Sequence, residues 1–113
     1  LNIDITVILD GWYGDTSRMY VAGTVPRKSE RLIQVTHDAL FKGIAAVKPG
    51  NTFGDIGHAI QTYVEAHRMS VVKDFCGHGL GKCFMRRPMC CTTGVRARAL
   101  FLKKACSLRL NRW

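Results

Sequence analysis

The sequence predicts an α+β domain, on three observations: an alternating β-branched run followed by Asp-Gly, two successive segments with helical spacing, and a β-branched stretch running into a glycine-punctuated loop. At 113 residues the chain fits one domain.

In chain order, residues 2–9, NIDITVIL, alternate as a strand does, DGWYGD supplies turn chemistry, and TSRMYVAG is the returning strand of a hairpin. Next, SERLIQVTHDALFKGIAAV puts Leu32 or Ile33, Thr36, Leu40, Ile44 and Val47 on one helical face, and Pro49-Gly50 stops the helix. Thr52-x-x-Asp55 has capping-box spacing ahead of Phe53, Ile56, Ile60 and Val64, the apolar face of a second helix reaching to about residue 67. MSVVKDFC is expected as a strand that delivers the chain into GHGLG. His37, His58 and His67 fall on the helices and are expected to face solvent, and Cys76 is expected as a small buried residue. Beyond Phe84 no strand or turn is legible in MRRPMCCTTG, and RARALFLKKACSLRL could form a basic amphipathic helix with Leu100, Leu102, Cys106 and Leu110 inside.

Charge divides the chain. Residues 1–84 carry nine Lys/Arg against eight Asp/Glu, a net of +1, whereas residues 85–113 carry eight Lys/Arg and no acid, so +1 and +8 make the total of +9. The excess therefore argues for a distinct tail and against a basic binding surface spread over the domain. No apolar run approaches the roughly 20 residues of a membrane helix. LNIDITVILDG has no positive leader or cleavage site, and opening inside a strand pattern it leads us to expect residues upstream. Five cysteines without a secretory leader point to reduced thiols in a cytoplasmic protein.

The residues with chemistry to offer are Asp4, Asp15 and His78, hard oxygen and imidazole donors carried at strand positions, a set suited to a divalent transition ion. Two carboxylates facing each other across a hairpin disfavour joint ionisation unless a cation neutralises them. By residue type alone they could equally be solvated polar residues on an exposed face, and His78 between two glycines could simply occupy a turn. GHGLG has no helix signal after it and makes a poor phosphate loop.

NIDITVILDGWYGDTSRMYVAG, then KPGNTFGDIGHAIQTYVE, then VVKDFCGHGLG resemble the type I methionine aminopeptidases in consecutive blocks at that family's spacing over residues 1–84. The resemblance implies a partial pita-bread fold, a curved antiparallel sheet with helices on its outer face, cradling two divalent metal ions (Co, Fe, Mn or Zn). It implies that Asp4 chelates one metal, Asp15 bridges both and His78 binds the other. Thr6 would support them from behind, and Phe84 would wall the methionine pocket. The implied reaction is removal of the initiator methionine from nascent peptide N-termini by metal-activated water, in a cytoplasmic monomer with the ribosome as a candidate partner. Other pita-bread metallopeptidases, or a non-catalytic relative, would share the aspartates. A nucleic-acid-binding module built on the tail is the alternative of another class, although specific nucleic-acid recognition is not expected.

Domain organisation follows: residues 1–84 are a partial metallopeptidase catalytic domain and residues 85–113 a basic, Cys-rich tail outside the resemblance. The family's two further glutamates and two further histidines would lie upstream, just after Phe84, and toward or beyond the C-terminus. Met85 stands where the family has histidine. Back-translated and read one base earlier, Phe84-Met85-Arg86 as TTC ATG AGG yields histidine then glutamate, and Met89-Cys90-Cys91 must yield valine then leucine. With allowed synonyms the whole tail rereads as HEAPNVLHYGRPGTGPVLEEGMFFTIEPM, a family-like string in which a glutamate falls at Asn111. We therefore read residues 85–113 as the product of a one-base frameshift at the Phe84/Met85 junction, which leaves this chain weakly active or inactive. Sequencing the coding DNA across that junction should reveal a neighbouring insertion or deletion; an unbroken frame there rejects the reading.

Overall fold

The computed structural model describes residues 1–73 and 77–83 with their side chains, and the backbone alone at Cys76, Arg86–Cys91 and Leu108–Arg109. Strand β1 (Asn2–Leu9) pairs antiparallel with β2 (Trp12–Met19) in unbroken register from Asn2↔Met19 to Leu9↔Trp12. The pairing runs on to Leu1 and Tyr20, where the Tyr20 amide donates to the Leu1 carbonyl at 2.8 Å and the Leu1 amino group to the Tyr20 carbonyl at 3.0 Å. The turn is tighter than the sequence suggests. Asp10 and Gly11 both have positive φ, 51° and 77°, the two-residue geometry whose twist matches the flanking strands. WYGD, expected in the turn, is consequently the start of β2.

Because cross-strand partners share a face, the register sorts the hairpin into two surfaces. One carries Asn2, Asp4 and Thr6 beside Asp15 and Ser17. The other carries Ile3, Ile5, Val7 and Leu9 with Trp12, whose exposures run from 40% to 74%.

Helix α1 (Arg27–Ala45) begins two residues before the expected serine, since Pro26 is already held at φ −58° and its carbonyl accepts from the Ser29 and Glu30 amides at 2.9 and 3.1 Å. Its buried stripe also differs from the expected one. Val35, Ala39 and Gly43 are covered, while Leu32, Ile44 and Val47 remain 42–51% exposed. Both stripes have helical spacing; the one with small residues lets the neighbouring helix approach more closely, and packing chose it.

Helix α2 (Phe53–Ala66) forms as its sequence dictates. The Asp55 amide donates to Thr52 Oγ1 at 3.3 Å and the Thr52 amide to Asp55 Oδ2 at 2.8 Å, closing the capping box. Phe53, Ile56, Ile60 and Val64 are buried on the predicted face and join Ala39 in the core, with Tyr63, Met69 and Val71 packed against them. Polar contacts fasten the outer edge of the helix pair. Gln34 Nε2 donates to Asp38 Oδ1 at 2.9 Å and the Tyr63 hydroxyl to Asp38 Oδ2 at 3.3 Å, and these bonds, the Gln34 one foremost, hold the Asp38 carboxyl below its ordinary range. His37 and His58 face solvent as expected; His67 is half-buried, with its ring 4.4 Å from that of Tyr63.

The strand expected from Met69 onward begins later. Residues 69–73 form no strand, because Met69 and Val71 satisfy their apolar character against the helices, and β3 runs over Cys76–Gly79, placing His78 within a strand. The Cys76 side chain lies outside the described residues. In the tail, β4 (Arg86–Cys91) and β5 (Leu108–Arg109) flank β3 in the order β4-β3-β5, all antiparallel. That corrects the expectation that residues 86–91 form no strand, and puts strand where the basic helix was to reach residues 108 and 109; the rest of that helix lies outside the described residues. Backbone groups pair irrespective of the side chains they carry, so a patternless stretch can complete a ladder. The register skips between His78↔Met89 and Gly79↔Arg86, and the skipped residues include Pro88, which has no amide to donate.

Ile56 has no exposed surface whereas Ile5 is 50% exposed. Ile56→Ala should therefore cost about 2–5 kcal/mol in urea unfolding, and Ile5→Ala no more than about 0.5 kcal/mol.

Candidate metal centre

The polar face of the hairpin meets β3 at Asp15. Beyond β3 the Gly81 carbonyl accepts a hydrogen bond from the Tyr13 amide at 2.9 Å, tying the loop to β2 two residues from Asp15. Sequence reasoning did not single out this contact, since a backbone bond leaves no signature in residue types. Its effect is to set Asp15 opposite His78.

Asp15 and His78 are both withdrawn from water, with side-chain exposures of 0% and 3%, and Asp15 Oδ2 lies 3.7 Å from His78 Nε2. Thr6, the register partner of Asp15, donates its hydroxyl to Asp15 Oδ1 at 2.9 Å. His78 Nδ1 lies 3.3 Å from the Gly79 carbonyl oxygen, a contact that favours a proton on Nδ1. In that tautomer Nε2 presents a lone pair on the side of Asp15 Oδ2, a nitrogen and an oxygen donor that could share one cation whose ligand distances match their separation.

A divalent transition ion is such a cation. Ligand distances of about 2.0–2.2 Å to nitrogen and oxygen bring two donors of one ion to within roughly 3.0–3.5 Å of each other, close to the observed separation. Imidazole nitrogen with carboxylate oxygen is also a donor set such ions accept. Asp4 lies on the same face, one same-face pair along: it stands opposite Ser17, and the next pair is Thr6 with Asp15. Such diagonal neighbours lie about 7–8 Å apart, within joint reach of neighbouring cations.

Among the expected site residues, then, Asp15, His78 and Thr6 are gathered, and Asp4 is carried beside them on the hairpin. Among the described residues no group of three or more His, Cys, Asp or Glu side chains is drawn close enough to hold an ion. Phe84 lies outside the described residues. Ser17 and Asn2, unremarked in the sequence, share the face with Asp4, the Ser17 hydroxyl donating to Asn2 Oδ1 at 2.8 Å. Their spacing within a period-two pattern was the only signal that could have found them.

Comparison with known proteins places this geometry in context. Residues 1–100 match the model of metallopeptidase family M24. The chain is 57% identical over 104 residues to a methionine aminopeptidase of Rickettsia prowazekii, covering 92% of this chain and 40% of that protein. It is 47% identical over 88 residues to the methionine aminopeptidase of Escherichia coli, covering 78% of this chain and 33% of that one. The crystal structure of the Rickettsia prowazekii enzyme superposes with a TM-score of 0.90 at 56% identity, over 93% of this chain and 42% of that chain. The methionine aminopeptidase of Thermotoga maritima gives 0.91 at 32% identity, over 95% and 43%. A prolidase from Pyrococcus furiosus, 18% identical, shares the fold at 0.85 over 96% of this chain and 32% of that one. This chain therefore spans less than half the length of each of these relatives. It belongs to metallopeptidase family M24, and its architecture is part of the α+β pita-bread fold.

Proposed function

We propose that this chain is part of a methionine aminopeptidase, the part that supplies three ligands of a two-ion centre for removing initiator methionine from nascent proteins. The observation that carries the reading is the buried Asp15–His78 pair at 3.7 Å, in a chain of a metallopeptidase family. Likeness to enzymes named methionine aminopeptidase narrows the class.

In this reading Asp4, Asp15 and His78 would hold the ions, His78 through Nε2. Bound there, two divalent ions (Co, Fe, Mn or Zn) would supply the charge that polarises a peptide carbonyl and acidifies water near neutral pH. The chain's own residues do the arranging. Thr6 holds Asp15 Oδ1 and so directs Oδ2 toward His78. The Gly79 carbonyl keeps the His78 proton on Nδ1 and its lone pair on Nε2. The latch between Tyr13 and Gly81 holds hairpin and strand at a fixed distance. Phe84 would wall the methionine pocket. Nascent peptide N-termini are the substrates, the cytoplasm is the setting, the ribosome is a candidate partner and the working unit is a monomer.

The carboxylates that complete the centre in the family are absent from the frame read here. We propose that residues 85–113 arise from a one-base shift after Phe84, so that the 113-residue chain has little or no peptidase activity of its own. Three ligands should still take up Co²⁺ weakly. In calorimetry, Asp15→Asn and His78→Ala should each abolish that uptake. Thr6→Val should weaken it about tenfold, with Thr6→Ser restoring it. Robust release of methionine from a Met-Ala peptide by the purified 113-residue chain would overturn the frameshift reading. Uptake of Co²⁺ unaffected by Asp15→Asn would overturn the metal centre.

A further inference from the structure

Resting on the metal-centre reading above, we propose that Lys82 is a positioning residue for that centre, clasping the segment after His78 to the hairpin through the ring of Trp12. The Lys82 ammonium lies 5.5 Å from the centroid of the Trp12 ring, within the range over which a cation is attracted to an aromatic face. Trp12 is the first residue of β2 and Tyr13 follows it. Two consecutive strand residues therefore grip two consecutive residues of the loop: Tyr13 through its amide to the Gly81 carbonyl, and Trp12 through its ring to Lys82.

Strand alternation gives these contacts a direction. Tyr13 and Asp15 share one face of β2, and Trp12 stands on the other. A strand amide lies in the plane of the sheet, and β1 occupies one side of β2, so the bond from Tyr13 to Gly81 sits on the opposite edge. Residues 78–82 consequently pass around that edge. His78 faces Asp15 on the polar side, Gly81 is bonded at the edge, and Lys82 meets the ring on the apolar side. A single hydrogen bond is a pivot about which the loop can rock. A second contact one residue along, on the far face, opposes that rocking, which is the motion that would change the distance from His78 to Asp15. Lys82 and Trp12 are both exposed, so their contact lies outside the core that holds the helices together.

The sign of the effect separates this role from a plain electrostatic one. A positive charge in the loop that carries an ion's ligand repels the ion, so if Lys82 contributed charge alone, removing it would tighten binding of a divalent cation. As a clasp, its removal loosens the pair and weakens binding. Uptake of Co²⁺ by the full chain, read by calorimetry and by visible absorption of the bound ion, tests this. Lys82→Met, of similar length and uncharged, should weaken binding about fourfold, the scale of an exposed cation–ring contact, and shift the absorption bands. Trp12→Leu should do the same, and the double variant should lose no more than either single one, because the two side chains act as one contact. Lys82→Arg, which keeps a cation for the ring, should restore both affinity and bands. Arg18→Met is the control: Arg18 lies 5.5 Å from the Tyr20 ring at the other end of β2, so its loss removes the same kind of contact away from the loop and should leave affinity and bands unchanged. Circular dichroism checks that each variant folds, and Lys82→Gln takes the place of Lys82→Met should that variant misfold. Tighter or unchanged binding in Lys82→Met would overturn the proposal, as would a loss that Lys82→Arg fails to restore or fully additive losses in the double variant. A parent chain that takes up no Co²⁺ refutes the metal-centre reading and this inference with it, whereas uptake by the parent with any of those three outcomes refutes the inference alone.

Discussion

A carboxylate withdrawn completely from water is the constraint on which the rest of this site depends. Burying an ionised group is costly unless hydrogen bonds and an opposite charge compensate it. Asp15 accepts a hydrogen bond from Thr6 across the hairpin, and its Oδ2 lies 3.7 Å from the His78 imidazole. The length of that gap matches the separation of two donors of one divalent ion, the occupant we propose for it. Membership of a metallopeptidase family and the geometry of the pair point the same way.

The hairpin is what makes such burial achievable. A type I′ turn at Asp10-Gly11 sets a register in which every polar residue of interest falls on one face, and a slip of one residue would exchange that face for Ile3, Ile5 and Val7. The backbone bond from Tyr13 to Gly81 then draws this face against the end of β3. The opposite face remains apolar and 40–74% exposed in a chain spanning 40–42% of the Rickettsia relative. Polar chemistry and unburied apolar surface are two sides of the same eight-residue strands.

The helices show how far local patterns reach. Thr52 and Asp55 form the reciprocal cap their spacing announces, and the four apolar residues behind them are all buried. In α1 two stripes of equal periodicity competed, and the larger side chains lost to Val35, Ala39 and Gly43. Periodicity reports that a helix has an apolar side, whereas the distance of closest approach between helices decides which side is used. In the tail the discrepancy is of another kind. β4 pairs with β3 through backbone groups that carry no residue signature, so no reading of side chains could have found it.

By itself the sequence determined the α+β order of elements, the capped second helix, the candidates Asp4, Asp15 and His78, and a resemblance that the family match bears out, because these rest on local spacing and residue type. Only the tertiary structure decided the tight turn, the face by which α1 packs, the strand at His78 and the approach of Asp15 to His78. Those depend on backbone geometry, hydrogen bonding and steric fit between elements, the last of them bringing residue 78 to residue 15, and little of that is marked in a local pattern.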